Sequence, residues 1–91
     1  MVPLDKPSEQ DNFGNRESEE RVLILHNDNI NTFDHVIDVL VNTCSHDELQ
    51  AEQCALITHT KGYCEVKRGL FIQLEELQNR LTNKNLYVTI E

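Results

Sequence analysis

Apolar residues recur along this chain with two periods, and the switches between them mark out six elements. Arg21-Val-Leu-Ile-Leu-His26 is apolar on both faces and partly β-branched, which reads as an interior strand. Asn27-Asp28-Asn29-Ile30-Asn31 follows as a polar loop dense in turn formers. Thr32 is placed to cap a helix, with Asp34 in the first turn facing the positive end of the helix dipole. Phe33, Val36, Ile37, Leu40 and Cys44 then form one stripe at helical spacing. Ser45-His46-Asp47-Glu48 fits a capping box, with Glu48 able to reach back to the Ser45 amide. A second helix is therefore expected from about His46 to Thr60, burying parts of Leu49, Ala51, Cys54, Ala55, Leu56 and Ile57 until Gly62 ends it. Tyr63-Cys-Glu-Val-Lys67 alternates as a strand with Cys64 and Val66 on one face, and Arg68-Gly69 is expected to turn the chain. Leu70, Leu74, Leu77 and Leu81 make the stripe of a third helix, widened by Phe71 and Ile72. Asn83-Lys84-Asn85 stops that helix, and Leu86-Tyr-Val-Thr-Ile-Glu91 alternates as a closing strand. The order is βααβαβ, which predicts a single small α+β domain with a three-stranded sheet and helices on one face.

Ninety-one residues set one domain at most. Residues 1–20 hold six acids against Lys6 and Arg16, both prolines, and only four large apolar side chains. Such a stretch cannot bury enough surface to offset its ordering entropy, so it is expected to be a flexible acidic tail before a domain at 21–91. The whole chain carries a net charge of −8, which argues against nucleic acid and against an anionic membrane surface, because both need a basic stripe. The longest apolar run is Val22–Leu25, far short of the ~20 residues that span a bilayer. Met1-Val-Pro-Leu-Asp5 lacks the basic-then-apolar pattern of a signal peptide, so a cytoplasmic location is expected, where three cysteines read as free thiols.

Chemistry-bearing motifs are sparse. His26, His35, His46 and His59 with Cys44, Cys54 and Cys64 contain no C-x₂₋₄-C or H-x₃₋₅-H pair, so no metal is expected. The cysteines fall on apolar faces, where Cys behaves as a small hydrophobe, and no partner can be placed to orient a Cys–His nucleophile. No Gly-rich phosphate loop exists, and catalysis and cofactors are not expected. The unusual feature is Asn27-Asp28-Asn29 at a strand end, just before the apolar Phe33, Val36 and Ile37. A turn followed by a helix cap accounts for it. The sharper reading is a small pocket, with polar groups at the rim to catch an ammonium and apolar walls to take a side chain. His59, at the end of the second helix, is placed either as a histidine that suits a helix C-terminus or to close the same rim.

The run from Val22 to Leu40, Val-Leu-Ile-Leu-His-Asn-Asp-Asn-Ile-Asn-Thr-Phe-Asp-His-Val-Ile-Asp-Val-Leu, resembles the signature of the ClpS adaptor family. That signature has a strand, an Asn-Asp-Asp-Tyr-Thr-Pro-Met-like loop, and a helix ending in Val-Val-Asp-Val-Leu or similar. Thr58-His-Thr-Lys-Gly62 falls where the family has an apolar-His-x-x-Gly segment, and the acidic leader also matches. The resemblance covers about Arg21–Gly62 well and the remainder loosely.

The resemblance implies an adaptor of the N-degron pathway, not an enzyme. It would hold a bulky N-terminal residue of a substrate protein (Leu, Phe, Tyr or Trp) and dock on the N-terminal domain of a Clp-type AAA+ unfoldase, which passes substrate to the ClpP peptidase. The implied α-amino contacts are Asn27, Asp28 and His59, and the implied side-chain pocket is Asn31, Phe33, Val36, Ala55, Thr58 and Leu86. Several positions depart from the family pattern. Asn29 stands for a second aspartate, Thr32 for a proline, and Phe33 and Ala55 for methionines; the stretch from Gly62 to Leu86 is several residues shorter, and the family's docking segment has no clear match in Glu65–Glu76. A second reading is a non-catalytic interaction module on the same scaffold, similar in fold to the ribosomal stalk protein's C-terminal domain, that does not recognise N-termini.

Overall fold

The computed structural model describes residues 19–91, so the expected tail lies almost wholly outside it. Three strands, β1 (Glu20–His26), β2 (Tyr63–Leu70) and β3 (Tyr87–Ile90), form one antiparallel sheet in the order β2-β1-β3. The interior position expected for β1 is the one it occupies, and this α+β domain has the expected element order, with α1 (Phe33–Cys44), α2 (Glu48–Lys61) and α3 (Phe71–Thr82). Leu23 and Leu25 point from β1 into the helices together with Cys64, Val66 and Val88, all buried. Against them pack Val39, Leu40 and Cys44 of α1, Ala51 and Cys54 of α2, and Leu74, Leu77 and Leu81 of α3. The opposite face of the sheet carries the cross-strand row Tyr63–His26–Tyr87, with the His26 and Tyr87 rings stacked at 4.6 Å.

The caps of α1 and α2 divide the chain differently from the expected pattern. Thr32 caps α1 as expected, its Oγ1 accepting from the His35 amide at 3.1 Å. Ser45, however, is not the cap of α2. It takes a left-handed conformation (φ 60°) that closes α1, with its amide and that of His46 turned back on the Leu40 carbonyl. An N-cap needs extended backbone, so the role passes to Asp47, whose carboxylate accepts from the Gln50 amide at 2.8 Å, and α2 begins at Glu48. His46, freed from the helix, is buried and donates through Nε2 to the Val66 carbonyl at 3.1 Å.

That bond answers an irregularity in the sheet. Val66 has no partner in β1, because the register slips between Leu23 and Ile24. Such a bulge leaves a residue outside the ladder, and here a buried histidine takes up its carbonyl. Past the bulge β2 does not turn at Arg68-Gly69 but runs on to Leu70, which pairs with Glu20. The expected turn fails because β1 offers both residues a ladder partner, Val22 to Arg68 and Arg21 to Gly69. Gly69 admits the close approach of the Gln73 side chain, whose Oε1 accepts from the Leu70 amide at 3.2 Å and so starts α3.

Several apolar positions expected inside are outside. Leu49, Leu56 and Ile57 of α2 are exposed, as are Leu70 and Ile72 at the start of α3. α2 contributes only its small residues, Ala51, Cys54, Ala55 and Thr58, to the interior, so its large side chains are left on the outer side. Truncating Leu81, which is fully buried, to alanine should therefore cost about 2–5 kcal/mol in urea unfolding. Leu56→Ala, on the exposed side of α2, should stay within about 0.5 kcal/mol.

Candidate functional site

Where β1 ends, three connections meet. The Asn27 amide makes the last rung, to the Gly62 carbonyl at 2.9 Å. Gly62 itself ends α2 in a left-handed conformation (φ 99°), its amide bonded to the Thr58 carbonyl. This tight reversal sets the last turn of α2, with His59, beside the Asn27-Asp28 loop. A side chain at position 62 would meet no neighbour within 4 Å, so the requirement for glycine is the backbone conformation and not space.

The loop is held by its own aspartate. The Asp28 carboxylate accepts from the amides of Ile30 (2.8 Å) and Asn31 (2.9 Å) and from the Asn31 side chain (2.9 Å). Partial burial is the largest influence on this carboxyl and pushes its pKa up, but the three hydrogen bonds together outweigh it and hold it below its ordinary value of 3.8. A carboxylate offers about four lone-pair sites. Three are occupied, and one on the side facing Asn31 is left for a ligand.

Asn31 extends the network to the other end of the chain. Its side-chain nitrogen also donates to the Asn85 carbonyl at 2.8 Å, and His35 Nε2 donates to the neighbouring Lys84 carbonyl at 3.0 Å. Both partners of the Asn31 nitrogen can only accept, so the amide orientation is settled and its oxygen stays available. Asn85 is left-handed (φ 71°), which folds residues 83–85 tightly over the end of α3 and delivers the buried Leu86 to the same place.

Between these parts lies a cavity of about 510 Å³. All nine residues expected at the site line it: Asn27, Asp28 and His59, and with them Asn31, Phe33, Val36, Ala55, Thr58 and Leu86. The structure adds Leu25, His26 and Asn29, which the sequence pattern did not single out as site residues. Leu25 read only as part of the strand and His26 only as its end; Asn29 belonged to the polar loop read as a rim but was given no contact of its own. The walls are apolar in effect, because the Thr58 hydroxyl is spent on the Cys54 carbonyl of its own helix at 2.8 Å. The rim is polar, with one negative charge from Asp28 and the acceptor-bearing side chains of Asn27, Asn29, Asn31 and His59 around it.

Outside this pocket two buried thiols are core groups. Burial pushes the Cys44 thiol up to about 11, and burial with the neighbouring Cys64 pushes Cys54 up further. Both are protonated at neutral pH and act as small core groups. Among the described residues no three His, Cys, Asp or Glu side chains gather where a metal ion could sit.

The family model described as ATP-dependent Clp protease adaptor protein ClpS matches residues 16–89. The match spans both the loop-bearing half and the second half of the domain, and the chain belongs to the ClpS family, adaptors that associate with Clp proteases. No curated protein matches the sequence at a significant level.

The lowered Asp28 pKa has a measurable sign. The ionised carboxylate stabilises the loop above its unfolded value of 3.8, and that contribution is lost as pH falls through the lower folded value. Asp28→Asn should therefore be less stable than the parent chain at pH 7. The gap in urea midpoint should shrink as pH is taken below about 4.

Proposed function

We propose that this chain is an N-degron adaptor: the pocket takes the first residue of a substrate protein, and the chain delivers that substrate in the cytoplasm to a Clp-type AAA+ unfoldase through the unfoldase's N-terminal domain. The observation that carries this reading is the polarity gradient of one cavity. Three acceptors, Asn27, Asp28 and His59, ring its mouth, and apolar groups line its depth. A free α-ammonium has three donors and a positive charge, and an uncharged, bulky side chain follows it at bonding distance. Leu, Phe, Tyr or Trp at a protein's N-terminus presents that combination. The cavity size falls within the range of small-ligand pockets, ~300–1,000 Å³. ClpS family members are non-catalytic adaptors, and on this reading the chain acts by binding. The alternative, an interaction module without N-terminal recognition, leaves the remaining lone pair of Asp28 and the apolar walls without a use.

A bond from an ammonium to a carboxylate contributes ~1.5–3 kcal/mol. Asp28→Ala, His59→Ala, or acetylation of the peptide should each weaken binding by at least ~1.5 kcal/mol, more than tenfold. The peptide amine loses its charge above ~8. Affinity should fall as pH is raised through that value. Fluorescence anisotropy of a Leu-starting peptide and its acetylated twin across pH makes the test, and equal binding of the twins would sink the reading.

Selectivity follows from the walls. Burying Leu or Phe contributes ~1.5–3 kcal/mol, enough for roughly 10–100-fold over a small first residue. No wall residue carries a negative charge to offset a buried cation, so Arg- and Lys-starting peptides should bind at least tenfold more weakly than Leu-starting ones. Comparable affinities for Arg- and Leu-starting peptides in the same titration would refute this account of the pocket.

A further inference from the structure

The wall of the cavity changes character at Asn31, where it meets the rim. Phe33, Val36, Ala55 and Leu86 offer a ligand no polar side-chain atom, and the nearly buried Thr58 turns its hydroxyl back on the Cys54 carbonyl. Asn31 differs from all of these. Its side-chain nitrogen donates to the Asp28 carboxylate at 2.9 Å and to the Asn85 carbonyl at 2.8 Å, and no donor among the described residues reaches its oxygen. A carboxamide oxygen has two lone pairs, so an unused acceptor borders the apolar wall. With both hydrogens committed the amide cannot turn, and the oxygen is held in one place before any ligand arrives.

Position limits what can use this acceptor. The Asn31 nitrogen is 2.9 Å from the Asp28 carboxylate, and the oxygen and nitrogen of one amide are ~2.2 Å apart, so the oxygen lies within ~5 Å of that carboxylate. On the reading proposed above, the substrate's ammonium spends its three hydrogens on Asn27, Asp28 and His59. A donor for Asn31 then comes from the first side chain, at a point not far beyond Cβ. Leucine and phenylalanine have no donor. Filling the cavity with either takes water from the Asn31 oxygen and returns no bond, which is the costly side of hydrogen-bond exchange. Tyrosine carries its hydroxyl at the far tip of the ring, away from the rim. Tryptophan carries an indole N–H three bonds from Cβ, on the edge of the ring, and a buried indole N–H needs a partner. The body of the indole suits the apolar depth that the small, buried Ala55 leaves open.

We propose that Asn31 is a specificity-determining residue: its side-chain oxygen accepts from the indole N–H of an N-terminal tryptophan, and the pocket favours tryptophan over leucine and phenylalanine. This inference rests on the N-degron reading and narrows its substrate class. One residue then serves both ends of the ligand. A hydrogen of Asn31 fixes the carboxylate that meets the ammonium, and its oxygen meets the side chain.

The test uses the full chain and peptides labelled at the C-terminus that differ only in the first residue: Trp, 3-benzothienylalanine, Leu, or N-acetylated Trp. Benzothienylalanine keeps the size and shape of tryptophan and puts sulfur in place of the N–H. The Trp peptide should bind at least about threefold more tightly than the benzothienylalanine and Leu peptides, as expected for one neutral hydrogen bond. In Asn31→Ala the ratio of Trp to benzothienylalanine should fall to about one; it is taken within one protein, so a general loss of affinity cancels. In the parent chain, a nuclear Overhauser contact between the indole hydrogen of the bound peptide and the Asn31 side chain reads the same bond without a variant. Equal affinity for Trp and benzothienylalanine in the parent, a ratio that survives Asn31→Ala, or an indole contact to a different side chain overturns the proposal. The acetylated peptide separates this failure from that of the broader reading. If acetylation abolishes binding while Trp and benzothienylalanine bind equally, the N-degron reading stands and the role of Asn31 falls. If acetylated Trp binds as well as the free amine, both fall.

Discussion

The double pairing of β1 is the constraint on which this molecule depends. A strand with neighbours on both sides can end its ladder only where both neighbours stop, and here that happens at one rung, where His26 faces Tyr63 on one side and Tyr87 on the other. The chain beyond it must leave the sheet at that level. The residues just before Tyr63 and just before Tyr87 arrive at the same level for the same reason. Asn27 and Asp28, His59 through Gly62, and Leu86 are thus brought together by strand register, without any direct bond between the three groups of side chains. The two leucines of β1 that point inward, Leu23 and Leu25, are almost fully buried, so a slip of one residue would expose both and scatter the site.

Register alone would leave the loop from Asn27 to Thr32 free to move. Asn31 prevents this by spending both of its side-chain hydrogens, one on Asp28 and one on the Asn85 carbonyl. The arrangement orders the loop from within and anchors it to the far end of the chain. His35 makes a parallel anchor to Lys84 from the first turn of α1. A carboxylate held this way gives the rim a fixed negative charge, because bonds to its ionised form favour that form. The feature that stabilises the loop is therefore also the one that makes the rim attractive to a cation.

Much of this was readable along the chain, and the parts that were not share a cause. The stripe Phe33–Cys44, the Thr32 cap and the alternation from Leu86 onward are local patterns, and each element appears where its pattern places it. The ends of elements depended on distant partners. Ser45 fits a cap as well as a helix closure, and the choice was made by α1, which needed a left-handed residue to finish on Leu40. Arg68-Gly69 reads as a turn until Val22 and Arg21 are present to pair with it. The outward side of α2 was misread for a related reason: Leu49, Leu56 and Ile57 carry an apolar signal, yet the interior had room only for the alanines, Cys54 and Thr58. At the site, the loop and His59 were visible as chemistry, whereas Leu25 and His26 were hidden because a strand residue can serve core and pocket together.

The two family methionine positions filled differently here act at different depths, and that separates their effects. Phe33 is 43% exposed in the first turn of α1, so its ring lies at the mouth of the cavity. Ala55 is 4% exposed on the inner side of α2, so the volume it gives up opens in the interior. An aromatic ring at the entrance covers whatever the cavity holds and keeps water from it, without occupying the space below. A methyl group at depth leaves that space to the ligand. On the proposed reading, the first residue of a substrate would meet a deeper and better covered pocket, and the acceptors at the rim would act beside a drier ligand, where a charge-assisted bond is stronger.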